Sequence, residues 1–185
     1  MLYDLRRADA RVKWLVTCLL ATFGLAYLFG GWMVGLYSGF TPKAVAVTYG
    51  EPEMTMSMPP ESTAVVEHAM TAQQMISMSE GPHIVDRDLL VQDTHVHVPM
   101  YGVIAAVLSL VVLGLDLSRT WSYALITLLF AAPWLDFAGM WLTKYASSQF
   151  AVLTVAGGFA MGLAYTIVAV IAAWQMWRPA QGDVP

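Results

Sequence analysis

The chain has 185 residues, 58% of them hydrophobic and only 12% charged, with a formal net charge of −4 and a mean hydropathy of +0.60. A soluble domain carries roughly twice that share of charge, so the composition excludes an ordinary soluble fold, and the acidic balance gives no reason to expect a nucleic-acid partner. A single cysteine, Cys18, excludes an internal disulfide and a thiolate cluster and leaves the redox compartment unread.

In chain order, residues 14–37, 98–117, 121–142 and 150–177 are apolar runs of about the length that crosses a hydrocarbon core of ~30 Å. They predict an all-α integral membrane protein, a four-transmembrane-helix bundle in contact with the lipid bilayer. The apolar core of the first run is too long for a signal peptide and no small-residue cleavage site follows, so it reads as an uncleaved anchor. Arg6, Arg7, Arg11, Lys13, Arg119 and Arg178 flank one side of the spans, against Lys43, Arg87 and Lys144 on the other. By the positive-inside rule residues 1–13 and 178–185 are then cytoplasmic, and a multi-pass protein of the inner (cytoplasmic) membrane is expected.

Between the first two helices, residues 38–97 are expected to form an extracytoplasmic cap of about 60 residues. Its eight acids (Glu51, Glu53, Glu61, Glu67, Glu80, Asp86, Asp88, Asp93) stand against Lys43 and Arg87 alone. A structureless loop of this length is unusual, so some local order is expected. "KAVAVTYG" alternates and reads as a strand. Residues 59–82 open on Pro and close on Gly-Pro, a helix signature that sets Val65, Ala69, Ala72 and Ile76 on one face. "HIVDRDLLVQDTHVHV" reads as extended.

"DTHVHVPMYG" carries the first candidate site. Side chains two apart diverge on a helix but align on a strand. Pro99 biases its predecessor toward extended geometry and suits a first helical position. Asp93, His95 and His97 would then line one side of a strand as a ligand set for Zn or Cu. The competing reading is interfacial histidines hydrogen-bonded to neighbouring loops.

Asp136, in "APWLDFAGMW", lies about six residues inside its apolar run, where a carboxylate is costly and should face the bundle interior. His97 and Tyr101 are its nearest candidate partners by depth, and a carboxylate often orients a ligating imidazole. Alternatively Asp136 bonds a Tyr or Trp and fixes helix register. Pro133 is expected to free the carbonyl of Leu129 and kink the helix.

Met54, Met56 and Met58 would project three thioethers from one side of an extended chain, and Met70, Met75 and Met78 add more. Thioethers select Cu(I), although Met is also a flexible filler. Gly31-x-x-x-Gly35 and Gly158-x-x-x-Gly162 allow close helix approach, within the bundle or against another subunit.

"HVHVPMYG" fits a His-x-His-x4-Gly pattern at the start of a membrane helix. It resembles small bacterial four-helix membrane proteins similar to fragments of the haem–copper oxidase catalytic subunit. That resemblance covers about nine residues, with a looser Pro–acid–Gly–Trp run in the third helix. It implies haem b ligation by His97, with Tyr101 beside it, and an association with respiratory or photosynthetic electron transfer.

No phosphate-binding loop, covalent-haem motif or hydrolase elbow is present, so a catalytic role is not indicated. The sequence therefore favours a non-catalytic subunit of a larger membrane complex of the electron-transfer kind. Its acidic cap would dock a basic protein such as a cytochrome c. The alternatives are a copper, zinc or haem site protein, and a small transporter using Asp136.

Overall fold

The helices start where polar side chains meet their first free amides, and this is visible in a computed structural model that describes residues 3–50 and 84–178. Asp9 accepts from the Arg11 amide and opens α1, Ala10–Tyr37. Thr41 accepts from Ala44, with Pro42 in the first turn, and opens α2, Pro42–Tyr49. Asp86 accepts from Leu89 at 2.8 Å and opens α3, Arg87–Leu113. Ser118 caps α4, Arg119–Tyr145, and a 3₁₀ turn leads into α5, Ala151–Trp177. Each such cap satisfies an amide the helix itself leaves unpaired.

Among the described residues these are the α-helices, and no strand occurs. Four of them, α1, α3, α4 and α5, are long and apolar enough to cross a membrane. The protein is a four-helix integral membrane protein.

Two expectations for the connecting segment fail. "KAVAVTYG" is helical, because Thr41 and Pro42 supply a helix start and the buried side chains, Val45 and Thr48, are three residues apart. "RDLLVQDTHVHV" is the first half of α3, not an extended strand. Asp86 caps it and Asp88 stands in its first turn, where negative charge suits the helix dipole. Pro99 is therefore inside α3 rather than at its start, and leaves the carbonyl of His95 without its helical donor. The expected helix over 59–82 and all six cap methionines (Met54, Met56, Met58, Met70, Met75 and Met78) lie outside the described residues.

The centre of the bundle is α3, α4 and α5. Its tightest junction is between α4 and α5, where glycines let the backbones meet. A Cβ at Gly157 would stand 2.5 Å from the Asp136 nitrogen, and one at Gly139 would strike Thr154. The buried stripe of α5 is mostly small, including Ala151, Thr154, Gly157, Ala164 and Ala172. In lipid, where hydrophobic burial drives little, such close contact is what holds helices together. Two buried hydroxyls inside the spans close onto their own helix: Ser109 donates to the Ala105 carbonyl and Thr143 to that of Gly139, both at 2.7 Å.

At the end of the bundle where the first and last described residues lie, the proximal end, Leu5 is fully buried under the helices and its amide donates to the Gly114 carbonyl at 2.9 Å. Tyr3 donates to the Leu110 carbonyl, and Gln175 bonds both backbone groups of Asp116. By contrast α1 touches the bundle mainly along its proximal half. There Tyr165 of α5 donates to the Leu20 carbonyl and stacks on Tyr27 at 4.9 Å. Beyond Tyr27 large apolar side chains stand exposed: Leu28 is 73% and Leu36 68% exposed. A Cβ added at Gly31, Gly158 or Gly162 would meet no described atom within 4 Å, and one at Gly35 would meet only Phe40 of the following loop. Close approach within this chain thus uses Gly24, Gly139 and Gly157 instead.

Candidate functional site

The helical course of "DTHVHV" decides which of its side chains meet. Asp93, His97 and Tyr101 fall four residues apart and form one stripe, while His95 points elsewhere and is exposed. The expected side-by-side set of Asp93, His95 and His97 therefore does not form. Among the described residues no group of three or more His, Cys, Asp or Glu side chains is placed to hold one ion.

What forms instead is a pair. His97 Nδ1 lies 2.8 Å from Asp93 Oδ1 and 2.9 Å from the Asp93 carbonyl oxygen. Two acceptors at one ring nitrogen place the proton there, so in the neutral ring Nε2 carries only a lone pair. No described residue hydrogen-bonds Nε2. The carboxylate that orients His97 is thus Asp93 and not Asp136.

Asp136 is nonetheless part of the same neighbourhood. It acts electrostatically on His97 and Tyr101, and on Asp93. Its side chain is partly buried, and no described residue hydrogen-bonds its carboxylate. The Thr154 hydroxyl bonds its backbone carbonyl instead, at 3.4 Å. The register-fixing bond to Tyr or Trp is made by another pair: Trp141 Nε1 donates to Thr94 Oγ1 at 2.9 Å and ties α4 to α3.

Two tyrosines join the cluster without any motif to announce them. Tyr49, at the end of α2, packs with Val85, Leu90, Phe137 and Met140. Burial pushes its phenol up to about 12; a hydrogen bond with Ser38 opposes the shift and the nearby carboxylates of Asp93 and Asp136 add to it. Tyr27 of α1 interacts electrostatically with Tyr101. A clamp closes this end of the bundle: Val85 donates to the Thr48 carbonyl, and Lys144 Nζ donates to the Val85 carbonyl at 3.0 Å.

Below the polar cluster, a crevice of about 310 Å³ opens between α3 and α4. Tyr101, Gly102, Pro133, Trp134 and Phe137 line it, with Leu129, whose carbonyl Pro133 leaves without a helical donor. The Tyr101 ring is 6.1 Å from Phe137 on one side and 5.9 Å from His97 on the other. It is the residue shared by the apolar crevice and the polar cluster.

The model of the Aq_1264_TM family, described as a transmembrane helical domain, matches residues 87–183. The chain belongs to this family. The match begins at the first residue of α3 and takes in α3, α4 and α5, so Asp93, His97, Tyr101 and Asp136 all fall within the family domain. Tyr27 and Tyr49 come from the part that precedes it. No curated protein and no solved structure matches the chain.

Proposed function

We propose that the chain is a non-catalytic integral subunit of a larger membrane complex of the electron-transfer kind. The observation that carries this reading is the state of its glycine faces. Gly31 on α1, and Gly158 and Gly162 on α5, are bare of described neighbours. Small residues facing lipid gain nothing, whereas against a further helix they permit close packing. The acidic stretch between α1 and α3, eight acids against two bases over residues 38–97, supports docking of a basic partner such as a cytochrome c. With the basic residues gathered near the termini, both ends are assigned to the cytoplasm and the Asp93–His97 end to the opposite side.

A second reading, a haem b, copper or zinc centre at the same end, is favoured by the Asp93–His97 pair. A ligating imidazole commonly gives its other N–H to a carboxylate. Here Nδ1 is so engaged, and Nε2 is the nitrogen left for a metal. The Aq_1264_TM domain would supply this ligand from His97 alone, with His95 and Asp136 in separate positions.

Mild-detergent purification from native membranes, with a spectrum, metal analysis and subunit identification on one sample, tests both. Stable larger subunits co-purifying with a colourless, metal-free chain support the first reading. Near-stoichiometric haem or metal that disappears in His97→Leu supports the second. A chain that isolates alone and empty would remove both.

A further inference from the structure

We infer that the proximal ends of α1 and α5 form a binding site for an acidic phospholipid, its phosphate held by Lys13 and Arg178 and its acyl chains on the aromatic seam beside them. This goes beyond the subunit reading and does not rest on it.

The Thr17 hydroxyl ties the two helices together at this end. It donates to the Lys13 carbonyl at 2.8 Å and accepts from Trp177 Nε1 at 3.2 Å, so Lys13 and the last turn of α5 meet at one seam. Arg178 follows Trp177 directly, and its guanidinium lies 4.4 Å from the centroid of the Trp174 ring. Stacking occupies only the flat face of a guanidinium. Its N–H donors lie in the plane, around the edge, in the fork that matches two phosphate oxygens.

Charge at the seam is uncommitted. The acids described at the proximal end are Asp4, Asp9 and Asp116. Asp116 pairs with Arg6 at 3.7 Å, Asp4 pairs with Arg7 at 3.6 Å, and Asp9 caps α1 through the Arg11 amide. Among the described residues no acid forms an ion pair with Lys13 or Arg178. Because α1 begins and α5 ends here, their opposite dipole ends, each roughly half a charge, offset one another and the side chains decide. The balance is cationic, and an anion completes it.

The aromatic residues make that anion a lipid. Trp14, beside Lys13, and Trp174 and Trp177 are all exposed. Tryptophans settle at the boundary between hydrocarbon and headgroups, which is the depth of a lipid phosphate. A soluble anion gains nothing from three open indoles, whereas an acidic phospholipid sets its phosphate by the two cations and its chains on the rings. Basic pockets between membrane helices recognise acidic headgroups in this way.

The test uses the full chain in dodecyl maltoside, freed of bound lipid. It is titrated separately with dioleoyl phosphatidylglycerol, dioleoyl phosphatidylcholine and inorganic phosphate. Binding is read by melting temperature and by the bound lipids counted in native mass spectra. The expected result is saturable binding of phosphatidylglycerol, about 25-fold tighter than phosphatidylcholine, with no stabilisation by inorganic phosphate. Lys13→Gln and Arg178→Gln each lower that preference about fivefold, the weight of one basic side chain at an acidic membrane surface, and together they remove it. Arg119→Gln deletes the same charge at the start of α4, outside the seam, and leaves the preference intact. Equal affinity for the two lipids, uptake without saturation, or an equal loss in Arg119→Gln overturns the inference. Stabilisation by inorganic phosphate as large as that by phosphatidylglycerol overturns it too, since the ligand is then a free anion. The lipid preference of the unmodified chain needs no variant, so a misfolding substitution does not blunt the test.

Discussion

Asp93 holds His97 by two oxygens at once: its carboxylate at 2.8 Å and its backbone carbonyl at 2.9 Å from the same ring nitrogen. Spacing of four residues on α3 makes both contacts available together. One consequence is a defined tautomer. The neutral imidazole of His97 carries its proton on Nδ1, so ¹⁵N spectra of histidine-labelled protein should show Nε2 as the unprotonated nitrogen. In Asp93→Ala the backbone oxygen remains, and the tautomer should persist with a mobile ring. A protonated Nε2 in the unmodified protein would remove the acceptor on which the site's chemistry is built.

The α4–α5 junction gives a second test, because adjacent glycines differ completely in surroundings. Gly157→Ala drives a methyl against the Asp136 backbone, and Gly158→Ala meets nothing within 4 Å. Overpacking of this kind costs about 1–3 kcal/mol, whereas the neighbouring change should stay within about 0.5 kcal/mol. Unfolding in detergent, followed for both variants, checks the contrast. Equal effects would mean that the helices do not meet at Gly157.

At the proximal end, Leu5 and Arg6 make opposite predictions from neighbouring positions. Leu5 is fully buried beneath the bundle, so Leu5→Ala should destabilise by about 2–5 kcal/mol. Arg6 pairs with Asp116 at 3.7 Å, but both side chains are well exposed, so Arg6→Ala should cost less than about 1 kcal/mol. A larger loss in Arg6→Ala than in Leu5→Ala, measured by thermal unfolding, would show that charge and not packing seats the N-terminal segment.

The spanning helices were legible because hydropathy over some 20 residues is a strong signal, one that does not depend on which neighbours are present. Their ends were not, because a helix is continued by caps and not by apolarity. "RDLLVQD" is polar and reads as outside the span, yet Asp86 starts α3 there, and with that start the geometry of Asp93, His95 and His97 changes. The same limit applies to the glycines. Sequence spacing singles out Gly158 and Gly162, but the face of α5 that meets α4 is rotated by one residue, to Gly157. Tyr49 and Tyr27 carried no local signal at all, since they reach the site only through the packing of α1 and α2. Asp136 was legible as an interior carboxylate from its depth, but the pairing with His97 expected for it does not form, because Asp93, on the same helix as His97, reaches the ring first.

Tyr49 links this packing to pH. An unfolded phenol titrates near ~10, and in the folded protein burial first, with the Asp93 and Asp136 carboxylates adding and Ser38 opposing, raises Tyr49 to about 12. A raised value means that the folded state holds the proton more tightly than the unfolded state. The resulting stability is present in full below ~10 and is lost as pH rises through about 12. Tyr49→Phe cannot ionise, so its stability relative to the unmodified protein should climb across that interval and stay level below it. Unfolding measured for both proteins from pH 8 to about 12 reads the difference directly, with the other tyrosines common to both. Parallel curves would show that Tyr49 is not sequestered against Phe137 and Met140, and that α2 does not close over the site.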